Sequence, residues 1–286
     1  MYQDVSIIGG DLRNAFLSQM LWNKNRKIFV YGFENEKSIT QNNNIIKCNS
    51  LEEAINSTEI IISSIPFTKD KVKINMPLSV YEIEIEDFIK KIKNKTLIVG
   101  NIDSDFINKA EKNNVKVIDL MKMEELVIYN TIATAEGTIR IAIEETNKTI
   151  YDSNILILGF GRVGKTLAER FYGLKANVYC EARKDEDIAW INTYGYKSLW
   201  LSELDDSLEK FDIIINTIPE KILDENRLKL IKKECLIIDL ASNPGGVDFE
   251  KAQELEIKTI HALGLPGKIA PYTSAKFINE IIEKII

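Results

Sequence analysis

Ile155-Leu156-Ile157-Leu158-Gly159-Phe160-Gly161-Arg162-Val163-Gly164-Lys165-Thr166-Leu167-Ala168 reads as a short apolar strand, a turn punctuated by glycine and the opening of a helix. Each glycine in it has a separate physical task. Gly159 permits the tight turn, Gly161 lets a diphosphate approach the main chain, and Gly164 lets the helix pack close to the strand. Amides left unpaired at the helix start, together with the helix dipole, favour an anion there. The stretch therefore predicts a Rossmann-type dinucleotide turn formed by Gly159, Phe160, Gly161, Arg162, Val163 and Gly164.

Outward from this turn, the chain alternates short β-branched runs with amphipathic stretches, the pattern of parallel strands joined by crossover helices. Before the turn, strands are expected at residues 5–8, 27–31, 59–63, 96–99 and 115–118. From the turn on, they are expected at 155–158, 177–180, 212–216, 235–239 and 257–260. The two halves repeat one plan: Gly9-Gly10 follows the first strand and residues 60–66 read IIISSIP, while Gly159 follows its counterpart and residues 213–219 read IIINTIP at nearly the same separation. The expected fold is α/β, with two Rossmann-like, doubly wound parallel-sheet domains.

A linker helix over 131–147 is expected between them, because Ile132, Ala135, Ile139, Ala142 and Ile143 share a helical face. Gly137 costs about 1 kcal/mol relative to Ala inside such a helix, which points to a close approach of backbone or ligand. Pro271 introduces a last helix from about Ser274 to Ile285, with Phe277, Ile278, Ile281, Ile282 and Ile285 on its apolar face. This helix is expected to cross back onto the first domain. The domains are then 1–130 with the helix 272–286, for substrate, and 131–271, for NAD(P).

Composition narrows the functions open to the chain. With 286 residues, 45% hydrophobic and 28% charged, it is an ordinary globular chain long enough for two cores. The formal net charge of -6, with lysines scattered among acids, argues against a nucleic-acid partner. The N-terminal residues lack the basic start and cleavage site of a signal peptide, and no apolar run has the length of a membrane span, so a cytoplasmic protein without a membrane partner is expected. His261 is the single histidine, which excludes sites that need two or three imidazoles, and no metal site is expected. Cys48, Cys180 and Cys235 lie far apart, which argues against a zinc motif or a disulfide framework.

The strand after the turn, residues 178–184 (VYCEARK), carries the choice of coenzyme. Glu181 falls near the distance of a ribose-binding carboxylate, which taken alone favours NAD. The register points the other way: if Val178 and Cys180 face the core, alternation turns Glu181 away from the direction of Ala182. Arg183 and Lys184 then follow at the strand end, where two cations suit a 2′-phosphate. NADP is preferred on this ground, with NAD left open, and the alternative for both side chains is a solvated surface. Thr217 and Pro219 after one strand, and Ser242 after another, are expected along the nicotinamide half. In the first half, Arg13, Ser63 and Ser64 stand at the corresponding places, and Arg13 could clamp a carboxylate. Gly9-Gly10 lacks the later glycine of a dinucleotide turn, so this half is expected to hold substrate.

Four stretches resemble the family of dipicolinate synthase A subunits: residues 8–13 (IGGDLR), 129–138 (YNTIATAEGT), 159–164 (GFGRVG) and 263–273 (LGLPGKIAPYT). The glycine turn is generic, whereas TAEG before it and GLPGKIAP after it are specific. The layout is more distantly similar to alanine dehydrogenase and adenosylhomocysteinase. The resemblance implies NADP-dependent oxidation of a dihydrodipicolinate-type precursor to dipicolinate during sporulation, in the mother-cell cytoplasm, alongside a flavoprotein-like B subunit of dipicolinate synthase. It implies a small dicarboxylate substrate, and a homo-oligomer is left open.

Such a reaction asks mainly for a doubly charged substrate to be held against the nicotinamide. The candidates for holding the carboxylates are Arg13, Ser63, Ser64, Thr134 and Lys268; Lys268 and Glu136 are the catalytic candidates, with Glu136 as the proton acceptor. Each has a structural alternative, since Ser and Thr cap backbone groups and charged side chains face water. Two other functions remain open at this point: another NAD(P)-dependent amino-acid or hydroxy-acid dehydrogenase, and a nucleotide-binding regulatory subunit without catalysis.

Overall fold

The computed structural model describes residues 3–22, 26–39 and 43–286. Contacts divide the chain into two units, Met1–Asn130 with Ala270–Ile286, and Thr131–Ile269. In the first unit the order is β1 (Val5–Ile8), α1 (Leu12–Met20), β2 (Ile28–Tyr31), β3 (Ile45–Lys47), α2 (Leu51–Asn56), β4 (Ile60–Ile62), α3 (Ile85–Lys91), β5 (Thr96–Val99), α4 (Ser104–Lys112) and β6 (Lys116–Asp119). Helix α5 (Glu124–Glu145) runs into the second unit. There follow β7 (Asn154–Leu158), α6 (Arg162–Gly173), β8 (Asn177–Ala182), α7 (Asp185–Thr193), β9 (Lys197–Trp200), β10 (Ile213–Asn216), α8 (Glu225–Leu228), β11 (Leu236–Asp239), α9 (Phe249–Glu254), β12 (Thr259–His261) and α10 (Leu265–Ile269). The last helix, α11 (Pro271–Ile282), belongs to the first unit.

The two sheets share one topology. Strand order is β3-β2-β1-β4-β5-β6 in the first and β9-β8-β7-β10-β11-β12 in the second, six strands each. Every pairing between these strands is parallel. The expected doubly wound α/β plan is therefore present twice. Central strands such as Ile60–Ile62 and Ile213–Asn216 are buried at every residue, which is why they read as unbroken apolar runs rather than alternating ones.

Each sheet has a core on both faces. In the first unit, α1 and α11 supply Ala15, Leu17, Ala275, Ile278 and Ile282 to one face, while Ala54, Phe88 and Phe106 from α2, α3 and α4 cover the other. In the second, α5, α6 and α10 contribute Ala135, Leu167, Phe171 and Leu265 to one core, and Leu228 and Ala252 from α8 and α9 lie in the other.

Three details differ from the sequence expectation. Strands β3 and β9 were not expected. Both are sheet edges, and their short, partly polar sequences carry a weak periodic signal. Helix α5 begins at Glu124 rather than residue 131, because nothing between Glu124 and Asn130 breaks a helix and Leu126 is buried in the first core. Helix α11 opens at Pro271 itself, where a missing N–H costs nothing. The suspicion about Gly137 has a packing answer: a Cβ there would lie 3.0 Å from Ile269 and 3.2 Å from Leu265 of α10.

Candidate functional site

Strand β7 has β8 on one side and β10 on the other, so its carboxyl end lies where the order of an open parallel sheet reverses. There the chain turns at Gly159, whose φ of 90° suits glycine. A Cβ on Gly164 would overlap the Gly159 carbonyl oxygen, whereas one on Gly161 would meet nothing within 4 Å. Gly161 is the N-cap of α6 and no side chain caps that helix. The start of α6 thus presents main-chain amides beside open space, the arrangement that accepts a diphosphate. Phe160 is buried beneath the turn, Val163 is half-buried and Arg162 is exposed.

Residues 159–166 also satisfy the spacing Gly-x-x-x-x-Gly-Lys-Thr. Helix α6 nevertheless begins at Arg162, before Lys165, so these residues form a short turn and helix instead of a long phosphate-wrapping loop. The Lys165 ammonium lies 5.3 Å from the Phe160 ring centre and 3.9 Å from Asp187.

Along β8, Val178, Cys180 and Ala182 face the core that α6 covers, while Tyr179 packs in the opposite core. Arg183 and Lys184 follow, both exposed, and no hydrogen bond or ion pair engages either side chain among the described residues. Glu181 is buried, and its Oε2 accepts the Gly159 N–H at 3.2 Å. Burial pushes its carboxyl above the ordinary range; the Gly159 N–H, Arg183 and Arg227 act in the opposite direction.

The ends of β10 and β11 are joined by a polar pair that the sequence reading did not single out. Asn216 Nδ2 donates to Asp239 Oδ1 at 2.8 Å and to the Ile218 carbonyl at 2.9 Å, and its Oδ1 accepts the Ile218 N–H at 3.1 Å. Asp239 also accepts from Ala241 N at 3.0 Å and Gly246 N at 2.7 Å. Both residues are fully buried, so the network fixes the two loops that carry Thr217, Pro219 and Ser242. Thr217 donates its hydroxyl to the Leu158 carbonyl at 2.8 Å, while Pro219 and Ser242 are exposed. His261 Nε2 lies 2.8 Å from the Ala241 carbonyl, and its ring stacks on Phe249. The only available signal was a polar residue closing an apolar strand, Asn216 after three isoleucines and Asp239 after Leu236-Ile237-Ile238.

The matching turn of the first unit is filled by its own side chains. A Cβ on Gly9 would overlap Met76, one on Gly10 would overlap Asn14, and Asp11 caps α1 by accepting the Arg13 N–H at 3.0 Å. The Arg13 guanidinium holds both Asp11 carboxylate oxygens and donates to the Ile65 carbonyl. Ser63 donates to the Ile8 carbonyl at 2.7 Å and Ser64 to the Phe67 carbonyl at 3.1 Å, both buried. Thr134 is half-buried on α5. Glu136 and Lys268 are exposed; each is next in sequence to a residue of the close approach between Gly137 and Ile269. A cavity of about 390 Å³ lies elsewhere in the first unit, where Lys71 pairs with Asp103; none of the expected site residues lines it. Among the described residues no acidic, Cys or His cluster is placed to hold a metal ion, and no helix is long and apolar enough to cross a membrane.

Comparison with known proteins gives the two halves of the chain separate matches. Residues 4–121 match the N-terminal domain of the dipicolinate synthase A subunit, and residues 120–249 match the NAD binding domain of D-isomer specific 2-hydroxyacid dehydrogenases. The chain is 33% identical over 285 residues to the dipicolinate synthase A subunit of Bacillus subtilis (strain 168), covering 99% of this chain and 95% of that one. The dipicolinate synthase A subunit from Bacillus halodurans superposes with a TM-score of 0.91 at 33% identity, covering 99% and 97% of the two chains. An L-alanine dehydrogenase shares the fold at 12% identity, with a TM-score of 0.66 over 97% of this chain and 87% of that one.

Proposed function

The chain belongs to the family of dipicolinate synthase A subunits, and on that premise we propose that it binds NADP at residues 159–164 and oxidises a dihydrodipicolinate-type precursor to dipicolinate. The observation that carries this reading is the uncapped start of α6 beside the open space at Gly161. The main chain from Gly159 to Gly164 would hold the diphosphate, and Thr217, Pro219 and Ser242 would border the nicotinamide half. Arg183 and Lys184, exposed and without side-chain partners among the described residues, would take the 2′-phosphate and so favour NADP over NAD. Bound nicotinamide supplies the hydride acceptor.

The residues of the chain then have two tasks, to hold a dicarboxylate and to move one proton. Lys268, with Thr134, would bind a substrate carboxylate, and Glu136 would accept the proton lost as the ring becomes aromatic. Arg13, Ser63 and Ser64 already make internal hydrogen bonds, so their part is to shape the substrate domain at the end of β4 rather than to clamp the ligand alone. The same observation favours a second reading, in which this chain binds the coenzyme and the flavoprotein-like B subunit contributes to the substrate site. Family membership also supports a role in the mother-cell cytoplasm during sporulation.

The deciding assay mixes the purified chain, with and without the B subunit, with the hydroxytetrahydrodipicolinate precursor and NADP or NAD. Absorbance of the reduced nicotinamide and of the pyridine product should rise together, and more readily with NADP. Pyridine product without nicotinamide reduction would refute hydride transfer, and coenzyme binding without turnover in either mixture would favour a regulatory role.

A further inference from the structure

Glu181 is 1% exposed and lies in register between Leu158 of β7 and Leu199 of β9. Its Oε2 accepts the Gly159 N–H, and its Oε1 is buried with no hydrogen-bond partner. In the first unit the matching amide, Gly9 N–H, donates to a main-chain oxygen, that of Tyr31, at 2.9 Å. An ionisable side chain has thus taken the place of a neutral acceptor at the first glycine of the turn.

The charged groups acting on Glu181 are Arg183, at the end of its own strand, and Arg227 of α8. Arg227 donates to Asp205 and to the Ile222 carbonyl, and neither arginine forms an ion pair with Glu181 among the described residues. One N–H donor and two leucine neighbours compensate a buried carboxylate poorly. A diphosphate at the start of α6 would add negative charge beside it, and like charge favours the neutral acid.

Resting on the coenzyme reading of residues 159–164, we infer that Glu181 couples dinucleotide binding to a proton. At a pH where the free protein holds Glu181 ionised, the coenzyme binds as the carboxylate takes up one proton from solvent to become the acid, and no other bond is made or broken. The acid still accepts the Gly159 N–H through its carbonyl oxygen. By linkage, each unit by which binding favours the acid weakens coenzyme affinity ~tenfold from the acidic to the alkaline side of the titration.

The test is calorimetric titration of the full chain with NAD, which lacks the 2′-phosphate and its own titration, between about pH 5 and pH 8 in two buffers of different ionisation heat. Wild type should take up as much as one proton per coenzyme bound and lose about tenfold in affinity as pH rises. Glu181→Gln should show neither effect and should bind more tightly than wild type at the alkaline end. Absence of proton uptake by the wild type, or the same pH slope in Glu181→Gln, would overturn the inference. The proton count is read on the wild type alone, so the test does not depend on how the variant folds. If neither NAD nor NADP binds at about millimolar concentration, the coenzyme reading itself falls and this inference with it; binding without a proton leaves that reading standing.

Discussion

Gly159, Gly161 and Gly164 share one turn but not one environment, and substitution separates their roles. Gly164→Ala would press a Cβ against the Gly159 carbonyl, a main-chain atom that cannot step aside; a loss of about 2 kcal/mol or more in a urea melt is expected. Gly161→Ala meets open space at an ordinary φ of -80°. It should melt as the wild type does yet bind coenzyme at least about tenfold more weakly, since its methyl takes up space that the diphosphate needs. Wild-type affinity in Gly161→Ala would contradict the proposed site. Arg183→Ala should weaken NADP far more than NAD in the same titration, and equal losses would remove Arg183 from the 2′-phosphate. These glycines were legible in the sequence because the freedom they supply belongs to the residue type itself. Glu181, Asn216 and Asp239 were not, because a polar side chain at a strand end acquires its role from partners that only the folded sheet brings near.

At the scale of elements, the parallel strands declared themselves as apolar runs, and the two missed strands, β3 and β9, occupy the same edge position in the two sheets. An edge strand is covered on fewer sides, so it tolerates Lys47, Lys197 and Ser198 and loses the pattern by which buried strands are recognised. The start of α5 was missed for the opposite reason, since a helix without a breaker has no written beginning. Elements in the second unit are also tied by charge. Asp212 precedes β10 and binds Lys148 Nζ at 2.6 Å, Lys232 Nζ at 2.9 Å and the Asn154 N–H at 2.9 Å. Burial raises its carboxyl, but these donors outweigh it and hold the group at about 2 against an ordinary 3.8. A depressed acid stabilises the fold fully above its unfolded value, and that contribution fades as pH falls from about 3.8 toward 2. Its size is about 2 kcal/mol. Urea melts should show Asp212→Asn destabilised near neutrality, with the gap to wild type closing across that acidic window; a gap independent of pH would refute the assignment.

For the molecule as a whole, one topology carries two different carboxyl edges. In the first unit Asp11, Asn14 and Met76 occupy the turn, and in the second the space at Gly161 is open. Hydrogen exchange should therefore show coenzyme protection concentrated at residues 155–183 and 213–247, with little at 5–31; equal protection at both turns would contradict a single coenzyme site. Family resemblance and the repeated plan were both visible in the linear chain. The sequence by itself determined the double parallel-sheet fold and the glycine turn, because burial pattern and backbone freedom are local properties of residue types. Only the tertiary structure decided that Arg13, Ser63 and Ser64 are engaged internally and that Glu181 lies against Gly159, because hydrogen-bond partners far apart in the chain are chosen by how the strands align.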